Sequence, residues 1–158
     1  MKTLYLIRHA HRDLSDRTLD NGLSLKGVAQ AKKIAEWFSS HKIHLPPELI
    51  SSPKLRCKET LTPLSISSRL PIAIDPDTEE QREHEDSAQF GRRVLHWFEN
   101  WEQNTAPITL VCSHGDWIPL IISLACGQRV EVSKGSITQI MREGSKAGPG
   151  FSVHRLLL

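Results

Sequence analysis

The chain has 158 residues, a length that fits one domain of ordinary size and allows a real hydrophobic core. Hydrophobic residues make up 39% and charged residues 24% of the sequence, near the averages of globular proteins, so general disorder is not expected. The formal net charge of +2 gives no support to nucleic-acid binding, because nucleic-acid-binding proteins normally carry a basic face or stripe.

The cysteines and the N-terminal residues bear on the cellular compartment. Cys57, Cys112 and Cys126 are widely spaced and odd in number, so neither a zinc site nor a disulfide framework is predicted. Residues 1–8 are too short and too poor in small residues for a signal peptide, and no segment approaches the roughly 20 apolar residues of a membrane span. We therefore expect one domain over residues 1–158, in the cytoplasm and without a membrane partner.

The first predicted elements are a strand and a helix. Residues 3–7 form a short, almost wholly apolar run, as expected of a strand that is buried on both faces. Ser24 is a predicted N-cap, because its hydroxyl can accept a hydrogen bond from a free amide of the first helical turn. The apolar residues that follow recur at helical spacing and predict one buried face, formed by Leu25, Val28, Ala31, Ala35 and Phe38.

A second strand and helix follow. Residues 49–50 indicate a short strand, and Ser52 and Pro53 then predict a helix start, with serine as N-cap and proline at the first helical position. Pro63 should kink or end this helix, since it lacks an N–H group and clashes with the preceding turn. Residues 72–74 are predicted to form another short strand.

The second half of the chain repeats the alternation. An amphipathic helix is predicted by the apolar stripe of Phe90, Val94, Trp97, Phe98 and Trp101. Residues 108–112 then form a buried strand and 117–125 a helix, and residues 137–141 and 152–158 predict a closing hairpin. The Gly- and Pro-rich residues 143–150 between them are typical of a turn. Strands that alternate with helices predict a three-layer α/β/α domain around a mostly parallel sheet.

Histidines follow directly after the two clearest strands. Arg8 and His9 end the first strand, and His114 follows the strand 108–112. If these strands are neighbours, both imidazoles project beyond the carboxyl edge of the sheet, where ligands bind in such folds. Arg56, in the first turn of its helix, is predicted to lie at the same edge. Two histidines with arginines suit a phosphoryl group, because guanidinium groups match phosphate oxygens and a neutral histidine can act as nucleophile.

Several segments resemble one family. Leu6–Ala10 is similar to the "RHG/RHA" signature of the histidine phosphatase (phosphoglycerate mutase-like) superfamily, and Asp20–Ala31 is similar to its "LTxxGxxQA" segment. Ser51–Arg56 resembles "SSPLxR", and Val111–Gly115 resembles "VxHG". Arg92–Val94 also matches the "RV" of the preceding helix. These segments occur in the family's order and span almost the whole chain, so the resemblance is specific.

The resemblance implies a role for each matching residue. His9 would accept the phosphoryl group and form a phosphohistidine that water later hydrolyses. Arg8 and Arg56 would hold the phosphoryl oxygens, and His114 would complete that pocket. Arg12 lies where one branch of the family reads "RHxERxD" and would add a phosphate contact. The family needs no metal, and no cofactor is expected.

The proton donor is the least defined residue of the predicted site. In the family it is usually a glutamate, within "xExxxG", after the third strand. Here the corresponding residues 75–87 lack the expected glycine, and the best match is Glu83, with Glu80 and Glu79 as alternatives.

The size of the chain bears on its substrate. Little room remains between Ile74 and Ser87 for the long lid insertions of mutases and several sugar-phosphate phosphatases. In length and motif the chain looks most like the small bacterial phosphohistidine phosphatases. The resemblance therefore implies a phosphorylated substrate, which is either a phosphohistidine protein or a small sugar or nucleotide phosphate. A phosphate-binding module with little turnover stays an alternative, because the glycine after Glu83 is missing. A mutase would need a lid.

Overall fold

The computed structural model describes residues 2–43, 47–142 and 150–157. Within these residues, six strands form one sheet in the order β3-β2-β4-β1-β5-β6. The strands are β1 (Lys2–Arg8), β2 (Glu48–Ser51), β3 (Ile72–Ile74), β4 (Ile108–Ser113), β5 (Ile137–Arg142) and β6 (Phe151–Leu157). The helices of the described part are α1 (Leu25–Ser40), α2 (Leu55–Ser68), α3 (Ser87–Gln103) and α4 (Trp117–Cys126), with one turn of 3-10 helix at Pro76–Thr78.

The central strands of the sheet are parallel. β4 lies between β1 and β2 and runs parallel to both, and β3 runs parallel to β2. On the other edge, β5 is antiparallel to both β1 and β6, which confirms the predicted closing hairpin. The predicted turn between these two strands falls largely on residues 143–149, which lie outside the described residues. The mostly parallel α/β sheet predicted from the alternating elements is confirmed.

Helices cover both faces of the sheet and give it two cores. Successive side chains of β1 point to opposite faces of the sheet. Tyr5 and Ile7 lie in the core between the sheet and helices α1 and α2, whereas Leu4 and Leu6 lie in the core between the sheet and helices α3 and α4. Each of these side chains is at most 8% exposed. The predicted three-layer arrangement is therefore present. No helix of the described segments is both long enough and apolar enough to cross a membrane.

The start of α1 is as predicted, but its buried face is shifted. The Ser24 hydroxyl accepts a hydrogen bond from the Gly27 amide at 3.1 Å, which confirms the N-cap. The prediction that Leu25 and Val28 are buried is wrong, since they are 92% and 40% exposed. In the first turn it is Gly27 that faces the protein, because a Cβ atom at this position would clash with the carbonyl oxygen of His11. The helix is buried further along, through Gly27, Ala31, Ile34, Ala35 and Phe38.

The predicted start of α2 at Ser52 and Pro53 is wrong, because the helix begins at Leu55. The Ser52 hydroxyl lies 2.8 Å from Nε2 of His114 and so takes part in another contact. The carboxylate of Asp20 instead accepts a hydrogen bond from the Leu55 amide at 3.1 Å. The first turn of α2 is thus satisfied by a residue from a distant loop.

Pro63 was predicted to kink or end α2, and it does not end it, since the helix continues to Ser68 with the proline inside. A kink at Pro63 stays a prediction. Cys57, Leu61 and Leu64 are buried against the sheet on both sides of this position. This packing holds the helix together where the proline removes one backbone hydrogen bond.

The predicted tryptophan-lined face of α3 is confirmed. Trp97 and Trp101 are 6% and 2% exposed and belong to the core between α3 and the sheet. The helix begins with a reciprocal capping box between Asp86 and Gln89. Between β3 and α3 the chain forms only a short connection that includes the 3-10 turn, so the expected absence of a large lid insertion is confirmed at this position.

Candidate active site

β1 and β4 bring two histidines to the same edge of the sheet. Arg8 pairs in register with Ser113, so His9 and His114 directly follow paired residues of parallel neighbours. The His9 amide donates a hydrogen bond to the carbonyl oxygen of Ser113 at 3.0 Å. The two imidazole centroids are 5.4 Å apart, and the residues are 5% and 2% exposed. The prediction that both imidazoles lie together is confirmed.

The hydrogen bond of His9 defines its reactive nitrogen. Nδ1 lies 2.8 Å from the carbonyl oxygen of Ala10, which can only accept, so Nδ1 carries the proton. Burial lowers the pKa of His9 to about 3, and the nearby positive charges of His114, Arg56 and Arg8 act in the same direction against the Ala10 bond. At neutral pH the imidazole is therefore neutral, and Nε2 has a free lone pair.

Arg56 lies in the first turn of α2, as predicted, and is only 3% exposed. Its Nη2 atom donates to Oε1 of Glu80 at 2.5 Å and lies 3.3 Å from Nδ1 of His114. A single guanidinium group thus connects the buried histidine to a carboxylate. These contacts place a fixed positive charge beside the two imidazoles.

His114 is held by contacts on both ring nitrogens. Nε2 lies 2.8 Å from the Ser52 hydroxyl and 3.6 Å from Sγ of Cys57, while Nδ1 lies 3.6 Å from Oε2 of Glu80. These neighbours leave the imidazole little freedom to rotate. The contribution of Ser52 was missed by the sequence analysis, which assigned its hydroxyl to a helix cap.

Arg8 reaches the pocket from the end of β1. Its Nη1 atom donates to the carbonyl oxygen of Val132 at 2.7 Å. A Cβ atom on Gly115 would lie 2.7 Å from Cζ of Arg8, so only glycine leaves room for this guanidinium group. Burial lowers the pKa of Arg8, and the carboxylate of Asp116 opposes that shift.

Arg12 lies in the loop after His9, and its contacts are within that loop. It forms an isolated antiparallel bridge with Leu23, and its Nη2 atom donates to the carbonyl oxygen of Leu19 at 3.3 Å. Its side chain is half-buried, in contrast to Arg56.

The arginines of the pocket have hydrogen-bond donors left over. Five buried side-chain nitrogen or oxygen atoms of the described residues have no hydrogen-bond partner, and three of them are the Nε atoms of Arg8, Arg12 and Arg56. A buried donor without a partner is destabilising by about 1–3 kcal/mol. A single bound anion with several oxygens could accept hydrogen bonds from these Nε atoms and remove this destabilisation.

The acidic residues predicted as proton donors differ in position. Glu80 contacts both Arg56 and His114, and its side chain is 38% exposed, so it lies at the mouth of the pocket. Glu79 is engaged elsewhere, with Arg82 at 3.1 Å and Lys54 at 3.4 Å. Glu83, the preferred residue of the sequence analysis, is exposed. The geometry thus favours the alternative, Glu80, over Glu83.

The segment that carries Glu80 is fixed by Arg93 of α3. This guanidinium group donates to the carbonyl oxygens of Asp77, Glu79 and Glu80 at 2.8–3.0 Å. It also forms two hydrogen bonds with Glu85, and these bonds lower the pKa of that carboxyl to about 2. Sequence analysis noted Arg93 only as part of a motif and missed that it anchors the acidic segment.

Two further contacts fix the loop after His9. The Ala10 amide donates to the Thr60 hydroxyl at 3.0 Å, and the His11 amide donates to Oε1 of Gln30 at 2.8 Å. Neither residue was predicted as part of the site, although Gln30 belongs to a motif segment. Within residues 2–43, 47–142 and 150–157, no group of three or more His, Cys, Asp and Glu side chains is arranged to hold a metal ion.

The sequence matches a known family model. Residues 4–82, half of the chain, match the model of the histidine phosphatase superfamily (branch 1), and this range contains His9, Arg56 and Glu80. The chain belongs to the histidine phosphatase superfamily. Family membership indicates a phosphatase, that is, a hydrolase that acts on phosphorylated substrates.

The chain is also similar to one curated protein and to several solved structures. A protein from Hydrogenobacter thermophilus, named as a candidate phosphoserine phosphatase, is 23% identical over 191 aligned positions that cover 93% of each chain. A candidate alpha-ribazole-5'-P phosphatase from Escherichia coli superposes with a TM-score of 0.81, at 17% identity and with 99% and 96% of the two chains covered.

The protein histidine phosphatase SixA, solved with tungstate, is a further structural neighbour. It superposes on this chain with a TM-score of 0.73, at 15% identity and with 98% of this chain and 96% of that chain covered. At these levels of identity, both structural matches establish the shared fold.

Proposed function

We propose that this chain is a metal-independent phosphatase that works through a phospho-His9 intermediate. The observation that carries this proposal is the arrangement of two buried imidazoles, 5.4 Å apart, around the guanidinium group of Arg56. Fixed positive charge in a water-poor site stabilises a phosphoryl group and its transition state. The lone pair on Nε2 of His9 supplies the nucleophile.

The first step transfers the phosphoryl group to the protein. Nε2 of His9 attacks phosphorus, and the bond between phosphorus and the leaving oxygen breaks. The leaving oxygen takes the proton of the Glu80 carboxyl, so it departs as a neutral alcohol. Nδ1 of His9 keeps its proton and its bond to Ala10, which holds the ring in place during the reaction.

The second step returns the protein to its starting state. A water oxygen attacks phosphorus, and the bond between phosphorus and Nε2 of His9 breaks. The carboxylate of Glu80 takes one proton from that water, and inorganic phosphate leaves. Glu80 is then again protonated, so the same group serves as acid and base in turn.

Four residues are proposed to bind the phosphoryl oxygens. Arg8, Arg56 and His114 surround His9 directly, and Arg12 adds a contact from the edge. The support for this assignment is that each of the three arginines has a buried Nε atom without a partner. Charge-assisted hydrogen bonds from guanidinium groups to phosphate are stronger than neutral ones.

The protonation of Glu80 depends on the substrate. Burial raises the pKa of Glu80, but the hydrogen bond from Arg56 and the charges of His114, Arg56 and Lys54 outweigh burial, so the pKa is lowered. A bound phosphoryl group would draw Arg56 toward itself and place negative charge beside the carboxyl. Both changes raise the pKa of Glu80 and favour the protonated acid that the first step needs.

The proposed substrates are phosphate monoesters or phosphohistidine proteins. The neighbours differ in the substrates that their names give, which include phosphohistidine proteins for SixA and phosphoserine for the Hydrogenobacter protein. The absence of a large lid between β3 and α3 supports an open pocket that can accept a residue on a protein surface.

The first experiment is hydrolysis of p-nitrophenyl phosphate in EDTA, followed over many turnovers for the wild type, His9→Ala and His154→Ala. His154 is an exposed histidine of β6 and serves as the matched control. We expect sustained turnover that drops at least a thousandfold in His9→Ala and is unchanged in His154→Ala, because loss of a nucleophile removes orders of magnitude. A loss of less than tenfold in His9→Ala would reject His9 as nucleophile.

The same experiment separates the alternative functions. Absence of turnover, with orthovanadate still raising the melting temperature, would favour a phosphate-binding module. Isolation of the wild-type protein with a stable phosphate on His9 would favour a mutase.

A further inference from the structure

Three positively charged side chains, Arg17, Lys26 and Lys134, lie near Arg12, the outermost of the proposed phosphoryl-binding residues. We call Arg12, Arg17, Lys26 and Lys134 the cationic rim. They come from three segments, namely the loop after β1, the first turn of α1 and the turn before β5. Arg17 and Lys26 are exposed, and Arg12 and Lys134 are half-buried.

Backbone contacts place Lys134 beside the pocket. The amide of the next residue, Gly135, donates to the carbonyl oxygens of Arg8 and His9 at 3.0 and 3.2 Å. Gly135 has a φ of +75°, a left-handed conformation that glycine adopts without strain. This turn therefore holds Lys134 directly against the end of β1.

The start of α1 adds Lys26 to the same surface. Gln30 donates from Nε2 to the carbonyl oxygen of Lys134 at 3.4 Å. Lys26 lies one turn before Gln30, and residues four apart occupy the same face of a helix. Its side chain thus points to the same side of α1 as the Lys134 turn.

The loop after β1 adds the two arginines. Arg12 bridges to Leu23, immediately before the N-cap of α1, and donates to the carbonyl oxygen of Leu19. Arg17 lies two residues before Leu19 in the same loop. All three segments of the rim therefore meet at the N-terminal end of α1, where the helix dipole adds further positive potential.

Asp13, Asp16 and Asp20 of the same loop offset part of the positive charge of the rim, and the charge of Arg12 helps to lower the pKa of Asp13. Burial lowers the pKa of Lys134, and so do the positive charges of Arg8 and the other members of the rim. In the part of the chain that the structure describes, no rim side chain forms an ion pair with a carboxylate.

The acidic residues of the loop are already occupied within it. Asp13 lies near Arg12, but its carboxylate accepts the Ser15 amide at 2.9 Å. Asp16 accepts the amide and the hydroxyl of Thr18. Asp20 instead accepts the first amide of α2. Each of these carboxylates thus forms a hydrogen bond with a neutral group and no direct ion pair with a rim side chain.

The two sides of the pocket therefore differ in charge. Glu79 and Glu80 lie on the side of the 3-10 turn, whereas the rim lies on the side of α1. A partner with negative charge beside its phosphoryl group would be favoured on the α1 side. Such complementary charge steers association and fixes orientation.

We propose that the cationic rim docks the acidic surface of a phosphorylated protein, next to the residue whose phosphoryl group enters the pocket. This inference rests on the proposed phosphatase function and names the partner class of the same site. A protein partner is favoured over a small molecule because the rim is open, exposed and spread over three segments. Sites for small molecules are instead mostly enclosed clefts.

The test uses two phosphotyrosine peptides that differ only in four flanking residues, glutamate in one and alanine in the other. Phosphotyrosine is an aryl phosphate like p-nitrophenyl phosphate, so the chemistry is matched. The variant is Arg17→Glu with Lys26→Glu, which leaves the proposed catalytic residues intact. The control is Arg92→Glu with Arg142→Glu, which makes the same charge change. Both control residues are exposed, and Arg142 pairs with Lys2 at the far end of the sheet.

For the wild type, kcat/KM should be about tenfold higher for the glutamate peptide than for the alanine peptide at low salt, and the difference should shrink with added salt. The rim variant should lose about tenfold or more in kcat/KM for the glutamate peptide, with p-nitrophenyl phosphate hydrolysis unchanged. The control variant should retain all three activities.

Three results would overturn the docking proposal. The first is equal kcat/KM for the two peptides, or no turnover of either while p-nitrophenyl phosphate is hydrolysed. The second is an equal loss in the control variant. The third is an equal loss in the rim variant for 4-carboxyphenyl phosphate, which would make the rim a subsite for small anions. Absence of p-nitrophenyl phosphate turnover in the wild type would instead reject the phosphatase function itself.

Discussion

The Nδ1 atom of His9 donates to the carbonyl oxygen of the next residue, and this one bond determines which nitrogen can react. Burial keeps the ring neutral, so its lone pair on Nε2 is available without a separate general base. The positive groups around it have two effects, since they lower the pKa of His9 and also supply binding for an anion. The positive groups that keep His9 neutral, and so nucleophilic, are thus the same groups that would bind the phosphoryl oxygens.

The identity of the proton donor is testable with two conservative substitutions. Glu80→Gln keeps the size of the side chain but removes the transferable proton, whereas Glu83→Gln changes an exposed residue. We expect Glu80→Gln to lower kcat for an alkyl phosphate about 100-fold or more, since general acid catalysis contributes roughly 10²–10⁴-fold. The loss should be smaller for p-nitrophenyl phosphate, whose leaving group needs little protonation.

Glu83→Gln is the control for this prediction and should retain both activities. Steady-state kinetics with the two substrates provide the measurement. The reverse pattern, with Glu83→Gln impaired and Glu80→Gln active, would restore the assignment favoured by sequence.

At the scale of elements, α3 determines where the acid lies. Arg93 projects from this helix and binds three carbonyl oxygens of the segment between β3 and α3. That segment contains only one turn of 3-10 helix, so it has little regular structure of its own. The position of Glu80 therefore depends on hydrogen bonds from the following helix.

Arg93→Lys tests this dependence. A lysine retains the positive charge but cannot reproduce five hydrogen bonds from a planar group, and it leaves the buried Glu85 poorly paired. We expect the free energy of unfolding to fall by about 2–4 kcal/mol and kcat to fall about tenfold, since a small misplacement of a catalytic group is costly. Denaturant unfolding and steady-state kinetics give the two values, with the exposed neighbour Arg92→Lys as control. A stable Arg93→Lys protein with full activity would show that the segment holds its position unaided.

His9 and His114 could be located from sequence because each follows a strand whose burial makes it recognisable, and adjacent parallel strands end at one edge. Glu80 could not be separated from Glu83 by spacing, because the segment between β3 and α3 follows no period. Its path depends on hydrogen bonds from residues outside the segment, namely Arg93, Ser113 and Trp117.

The predicted start of α2 was wrong for a related reason. Ser52 has the side chain of an N-cap, but its hydroxyl contacts His114, and a distant carboxylate from Asp20 serves the helix instead. Local preference was overridden by tertiary contacts. The predicted burial of Leu25 was wrong because the spacing of apolar residues placed the buried face on Leu25, whereas the face that packs begins at Gly27, a residue without a side chain to mark it.

For the whole molecule, the buried neutral His9 links stability to pH. Its pKa is lowered in the folded state to about 3, from about 6.5 in an unfolded chain. Between pH 3 and pH 6.5, His9 therefore carries a proton in the unfolded chain but not in the folded protein. The stability contributed by neutral His9 is therefore present above pH 6.5 and is lost as the pH falls toward 3.

His9→Asn should remove this dependence. Between pH 6 and pH 4, the slope of unfolding free energy against pH should be smaller in the variant than in the wild type by up to about 1.4 kcal/mol per pH unit, the value for one proton. Urea unfolding at a series of pH values gives the slopes, and the exposed His154→Asn variant is the control. Identical slopes in wild type and His9→Asn would mean that His9 is protonated in the folded protein.

The strand order has a consequence for how the protein is made. β1 is synthesised early, but its partners in the sheet are β4 and β5, and Thr3 pairs with Ile108. At roughly 5–20 residues per second, a translating ribosome needs about 5–20 s to produce the missing partner. Throughout that interval β1 lacks β4 and β5, so its apolar side chains and strand edges are exposed to aggregation until the sheet can form. The nucleophile therefore leaves the ribosome long before the pocket in which it works.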